Sequence, residues 1–138
     1  MTRRSRAREV ALQLLFQHDH NAELEPAVVR DFLDRRLRLP ELIRFAEEIL
    51  NGVIQRRGEI DQRLAQVAEN WSVERMAAVD RNVLRIGVFE LLCQPDTPTK
   101  VIIDEAIELA KRYGSAESPA FVNGVLDRVA AGRQQGPA

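Results

Sequence analysis

The chain has 138 residues, 45% of them hydrophobic and 30% charged, with a net charge of −1. That balance belongs to a folded soluble domain and excludes a disordered chain, and the length suffices to bury roughly two-thirds of the unfolded surface. Cys93 is the one cysteine, which excludes an intramolecular disulfide. No apolar run approaches the ~18 residues of a membrane helix. The N-terminus lacks the apolar core and small-residue cleavage site of an export signal. One soluble, cytoplasmic domain spanning residues 1–138, without membrane association, is the expectation.

The opening MTRRSRAREVALQLLF raises the first functional question. Of 20 basic residues, Arg3, Arg4, Arg6 and Arg8 fall within the first eight positions, leaving 16 against 21 acids elsewhere. Apolar periodicity starts at Ala7, so these arginines lie at or just before a helix N-terminus. The macrodipole is positive there, and each cation costs roughly 0.3–1 kcal/mol. Arg4 and Arg8, four apart, add repulsion if the helix reaches back that far. An external polyanion would relieve both costs. The plain alternative is a solvated, partly frayed terminus. Residues 1–6 are accordingly read as a basic arm.

Ala7, Ala11, Leu14 and Leu15, widened by Val10, Leu12 and Phe16, predict a first helix ending near Asn21. Pro26 suits the first turn of a second, whose apolar side (Val28, Val29, Phe32, Leu33) runs to about Arg36. Pro40 starts a third, with Leu42, Phe45, Ala46, Ile49, Leu50 and Val53 at the 3.6-residue period. Gly58 interrupts, and Ile60, Leu64, Val67, Ala68 and Trp71 form a fourth, with Ser72 as a cap and Trp71 in the core. A long apolar segment follows from Val73 to Cys93, with a break near Ala78. The loop QPDTPT (Gln94–Thr99) is the clearest interruption in the chain.

Beyond it, VIIDEAIELAKRYG places Ile102, Ile103, Ala106, Leu109, Ala110 and Tyr113 on one face. Lys100, Asp104, Glu108 and Arg112 follow another at i,i+4 steps, as a solvated face does. Gly114 is placed as the residue after the helix end. Ser118 and Pro119 read as N-cap and first residue of a last helix, with Phe121, Val122, Val125, Leu126 and Val129 inward. The tail 132–138 is expected to be disordered. No strand-like alternation occurs, so the fold class is all-α, with about seven helices.

Catalytic patterns are absent. His18 and His20, two apart on a helix, point about 200° away from each other and cannot share a metal. Cys93 has no candidate base nearby in sequence. Neither GxGxxG nor GxxxxGK[ST] occurs. Asp104, Glu105 and Glu108 belong to the charged helix face. No enzyme, cofactor or metal is expected.

Three stretches, RAREVALQLLF (Arg6–Phe16), VDRNVLRIGVFEL (Val79–Leu91) and VIIDEAIELAKRYG…SPAFVNGVLD (Val101–Asp127), together resemble the NusB family of transcription antitermination factors. The resemblance covers nearly the whole chain. The same fold occurs fused to some ribosomal-RNA cytosine methyltransferases, and the chain length leaves no room for one, so the stand-alone factor is expected. The resemblance implies an all-helical domain of two packed helical bundles. It also implies binding of boxA-type single-stranded RNA in ribosomal-RNA transcripts, together with the ribosomal protein NusE, in support of read-through by RNA polymerase. Carried onto this chain, it assigns RNA contacts to Arg3, Arg4, Arg6 and Arg8 and to the turn holding Glu117, Ser118 and Phe121. It assigns partner contacts to Phe16 and Asp80. Three positions depart from the family pattern. Phe16 stands where tyrosine is common, Asp104 replaces the usual asparagine of an I-N-E-A stretch, and Glu117 lies in a loop of varying length and acidity. Some relatives form homodimers, and the residues leave that state open here.

Physical chemistry supports the first assignment independently. Backbone N–H groups and the dipole at a helix N-terminus attract phosphate, and single-stranded bases stack on an aromatic ring such as Phe121 or on guanidinium planes. Structural roles stand beside these. Phe121 with Val125 fits a core, Asp80 fits a helix cap, and Arg81 and Arg85 fit internal ion pairs as well as an RNA or partner face. Asn123 and Gly124 fit a hydrogen-bonded asparagine and a close helix approach. Two other functions remain: a protein-binding helical adaptor without direct RNA contact, and a regulatory RNA-binding fragment related to the methyltransferase domains.

Overall fold

Proline fixes two of the helix starts. The computed structural model describes residues 2–68 and 72–133, and in it Pro26 and Pro40 each open a helix, where the missing N–H would have had no partner. Among the described residues there are seven α-helices, one 3-10 turn and no strand. They are α1 (Arg3–His20), α2 (Pro26–Leu37), α3 (Pro40–Gln55), α4 (Arg57–Val67), α5 (Ala78–Cys93), α6 (Thr99–Tyr113) and α7 (Ser118–Ala130), with the 3-10 turn at Val73–Arg75. The all-α expectation holds. The chain divides into two compact units, Met1–Gln55 and Arg56–Ala138.

In the first unit α1 packs on α3 and α2. Ala7, Val10, Ala11, Leu12, Leu14 and Leu15 of α1 are buried, as are Leu42, Phe45, Ala46, Ile49, Leu50 and Val53 of α3 and Leu33 and Leu37 of α2. Each fully buried leucine contributes about 1.5–3 kcal/mol, so two suffice to hold α2 although most of it is exposed. Arg38 ends α2 at φ 64°, the one positive φ of a non-glycine residue among those described. The short passage from Leu37 to Pro40 imposes that strained conformation.

In the second unit α5 is central and packs on α4, α6 and α7. Every residue from Asn82 to Leu91 is buried. The polar ones are internally matched: Arg85 Nε and Nη2 donate to Asp61 of α4 at 2.9 Å each, and its Nη1 reaches Asn82 Oδ1 at 3.3 Å. Arg85 is thus structural. Gly87 is where α7 comes close, since a Cβ there would lie 2.8 Å from Leu126 Cδ1. Gly124, expected to make that approach, has only an arginine tip 3.6 Å away, and Asn123 is exposed.

Several boundaries shift. Helix α1 begins at Arg3, so residues 3–6 of the expected arm are helical. The break before α4 is Arg56, and Gly58 lies inside the helix in open space. Trp71 and residues 134–138 of the expected tail lie outside the described residues. Arg133, also in that tail, donates to Thr99 Oγ1 at 2.8 Å and to the Gln94 carbonyl at 2.7 Å. Gly114 has φ −96°, so its glycine serves proximity rather than a left-handed turn. A Cβ there would lie 2.5 Å from Ser118 Oγ.

Candidate nucleic-acid interface

The first turn of α1 is capped internally. Thr2 Oγ1 accepts the Ser5 N–H at 3.1 Å and exchanges a 2.7 Å bond with the Ser5 hydroxyl, while the Arg6 N–H donates to the Thr2 carbonyl. Such a cap is worth about 1 kcal/mol. It offsets part of the cost of placing cations at the positive helix end. The N–H groups of Arg3 and Arg4 meet no acceptor among the described residues, and the turn contains no acid. An anion approaching it meets two backbone donors and two exposed guanidiniums.

The four arginines fall into different environments. Arg3 and Arg4 are exposed. Arg6 is half-buried and ion-paired to Glu9, whose side chain is nearly inaccessible. Arg8 is the enclosed one of the four. Only 2% of it is exposed, and its guanidinium sits over the Phe45 ring of α3, 5.2 Å from the centroid. A group so enclosed cannot meet a phosphate while it keeps this position. Arg4 lies over the same ring at 4.7 Å, but on the exposed side of the turn. In the sequence Phe45 is one more member of α3's apolar stripe. Nothing local marks it as the support for two arginines about forty positions earlier.

The turn before α7 is built differently from the sequence expectation. Glu117, not Ser118, is the N-cap, and its side chain caps no backbone N–H. Ser118 is 2% exposed, and its Oγ accepts the Ser115 N–H at 3.0 Å. It therefore holds the turn from inside. Glu117 is exposed and accepts from the Ser115 hydroxyl at 3.2 Å. Phe121 is half-buried in the wall of a cleft of about 500 Å³, shared with Arg75, Met76, Ala77, Asp80, Ser115 and Glu117. Asp80, assigned to the partner, thus shares one cleft with two residues assigned to RNA. Its Oδ1 is buried and meets no hydrogen-bond donor among the described residues. Asp80 lies within the first turn of α5 and makes no capping bond, so the cap alternative fails.

Phe16 is half-buried on α1, in the first unit. His18 is half-buried and His20 exposed. No group of three His, Cys, Asp or Glu able to hold a metal occurs among the described residues. Cys93 is a half-buried free thiol. Asp104 and Glu108 are exposed, with Lys111 Nζ 3.6 Å from Glu108, as the solvated-face reading required. No helix is long and apolar enough to cross a membrane among the residues described.

The chain is similar to the NusB transcription antitermination protein of Sorangium cellulosum, with 49% identity over 130 residues covering 94% of this chain and 93% of the relative. Among solved structures, T. maritima NusB superposes with a TM-score of 0.83 at 38% identity, covering 96% of this chain and 93% of that one. A chain in a complex of antitermination factors NusB and NusE with double-stranded RNA shares the fold at a TM-score of 0.83 and 24% identity, covering 95% of this chain and 98% of that one. The family model described as the NusB family matches residues 5–131, which takes in the arginine turn from Ser5 onward, the buried α5 and the cleft at Phe121, and the chain belongs to that family.

Proposed function

We propose that this chain is a non-enzymatic, cytoplasmic transcription antitermination factor. It binds boxA-type single-stranded RNA in ribosomal-RNA transcripts together with NusE and supports read-through by RNA polymerase. The observation that carries the RNA part is the first turn of α1, where the exposed Arg3 and Arg4 stand together with two backbone N–H groups that meet no acceptor among the described residues, and with no acid in the turn. Phosphate satisfies all of these at once. Arg6, half-buried and paired with Glu9, stands at the edge of that surface.

A basic ribosomal protein suits the cleft at Asp80. A buried carboxylate oxygen without a donor is costly, and an incoming lysine, arginine or amide supplies one. Glu117 adds a second acid, and Phe121 and Met76 an apolar wall. In this reading Asp80, Glu117 and Phe121 serve a single face, with Phe16 as a further partner contact on the other unit. Titrating a fluorescent boxA RNA with the full chain, with and without NusE, tests the proposal. Binding of RNA by the chain alone, tightened by NusE, is expected. Binding of NusE with no RNA affinity in either arm would establish the adaptor reading instead.

A further inference from the structure

Arginine can serve RNA in two ways, as a point charge for phosphate or as a flat surface for a base, and the two make different demands on its surroundings. A charge needs only reach. A stacking surface has to be held still, because a side chain with roughly 2 kcal/mol of rotamer entropy otherwise loses most of the gain on ordering. Arg4 is held. Its guanidinium lies over the Phe45 ring at 4.7 Å from the centroid, and Phe45 is itself 7% exposed and fixed in the core of the first unit. None of its five N–H donors meets an acceptor among the described residues. Arg4 is nonetheless exposed. The residue is thus ordered by a ring on one side, uncommitted in its hydrogen bonds, and open to solvent beside a helix N-terminus.

Resting on the RNA reading above, we infer that Arg4 is a stacking platform: Phe45 supports its guanidinium, and one base of a single-stranded RNA lies on the guanidinium's outer face. The neighbouring backbone N–H groups and Arg3 then hold the phosphate of the same stretch. Arg8, over the same ring but enclosed, takes no part in contact and stiffens the ring's surroundings. The arrangement differs from that of Arg36 over Phe32, a pair four residues apart on α2 whose ring is only half-buried.

Lysine keeps the charge of arginine and lacks its plane, so R4K separates the two roles. The full chain is titrated with a boxA single-stranded RNA at several salt concentrations. The titration is repeated with a set of the same RNA carrying one abasic nucleotide each. Stacking of one base is worth about 1–3 kcal/mol, or about five- to 150-fold in affinity. R4K should lose a factor in that range against intact RNA while its slope of log affinity against log salt matches wild type. Wild type should lose the same factor at one abasic position, and R4K should be indifferent to that position. R36K should bind as wild type. Equal affinities of R4K and wild type for intact RNA would overturn the stack and leave Arg4 a charge. An R4K loss with no matching abasic position, or an equal loss in R36K, would overturn it too. Wild-type protein that fails to bind the RNA at all would overturn the RNA reading, and the stack with it.

Discussion

Replacing Arg3 and Arg4 together by alanine should separate electrostatic contact from structural support at the N-terminus. Arg6 is left in place because its loss would strip a partner from the buried Glu9, and Arg8 because it is enclosed against Phe45. Binding to single strands falls with salt at about −0.7 per neutralised phosphate on a log–log plot. If Arg3 neutralises one phosphate while Arg4 carries a base, the variant's slope is shallower by about 0.7, so a fourfold rise in salt should cost wild type about two- to threefold more affinity than the variant. Stability should barely move. Removing two cations from the positive helix end gains about 0.3–1 kcal/mol each, while taking Arg4 off the Phe45 ring costs about 0.5–1 kcal/mol. Fluorescence anisotropy at four or more salt concentrations reads the first effect and thermal melting the second. Parallel binding lines would refute the reasoning, since these arginines would then neutralise no phosphate. A fall in Tm of many degrees would refute it equally, by making the turn's cations structural.

Asp61→Ala should destabilise the second unit by about 2–3 kcal/mol. Breaking a buried pair costs about 3–5 kcal/mol, and the partial exposure of Asp61 (28% for its side chain, against 4% for Arg85) lets water moderate the loss; an unchanged midpoint in urea denaturation would show that the pair contributes nothing. Gly87→Ala gains about 1 kcal/mol in helix propensity, but its methyl would press on the fully buried Leu126 at 2.8 Å. Overpacking costs about 1–3 kcal/mol, so thermal melting should show a net loss on the order of 1 kcal/mol, and a gain would mean that Leu126 turns aside freely.

The helices are legible in the sequence because local signals agree. Pro26 and Pro40 fix two starts, and the stripes of α3 and α6 repeat at 3.6 residues and are buried as written. What escapes depends on partners distant in sequence. Arg8 and Glu9 are charged and so read as outward, yet Phe45 and Arg6 let α1 turn both inward. Ser118 has the composition of an N-cap, but the tight approach to Gly114 draws its hydroxyl into the loop one position later than a cap would sit. The sequence points to Gly124 for the close helix approach, whereas Gly87 makes it, because the facing side chain, Leu126, decides the matter and no spacing rule names that residue. For the candidate site, the cationic start is plain from charge alone. The gathering of Asp80, Glu117 and Phe121 around one cleft is not, since it arises from the α5 start meeting the α6–α7 turn, more than thirty residues apart in sequence.

That gathering makes Asp80→Lys the most informative single change at the cleft. Asp80 stands in the first turn of α5, where an acid gains about 0.3–1 kcal/mol from the dipole and a cation loses as much. Reversal should therefore cost about 0.6–2 kcal/mol of stability, a fall of several degrees in Tm and not a loss of folding. If the cleft receives a basic group of NusE, the variant replaces attraction by repulsion. Removing one partner of a buried charged pair costs about 2–5 kcal/mol, and Asp80 is only half-buried, so the lower end applies. NusE binding should weaken at least tenfold in a calorimetric titration, while affinity for RNA alone holds or rises with the added positive charge. Loss of RNA affinity with NusE binding intact would mean that the cleft holds a base against Phe121, with the Asp80 oxygen accepting its N–H. Wild-type affinity for both ligands would remove the cleft from function and leave its unmatched carboxylate oxygen without a physical reason.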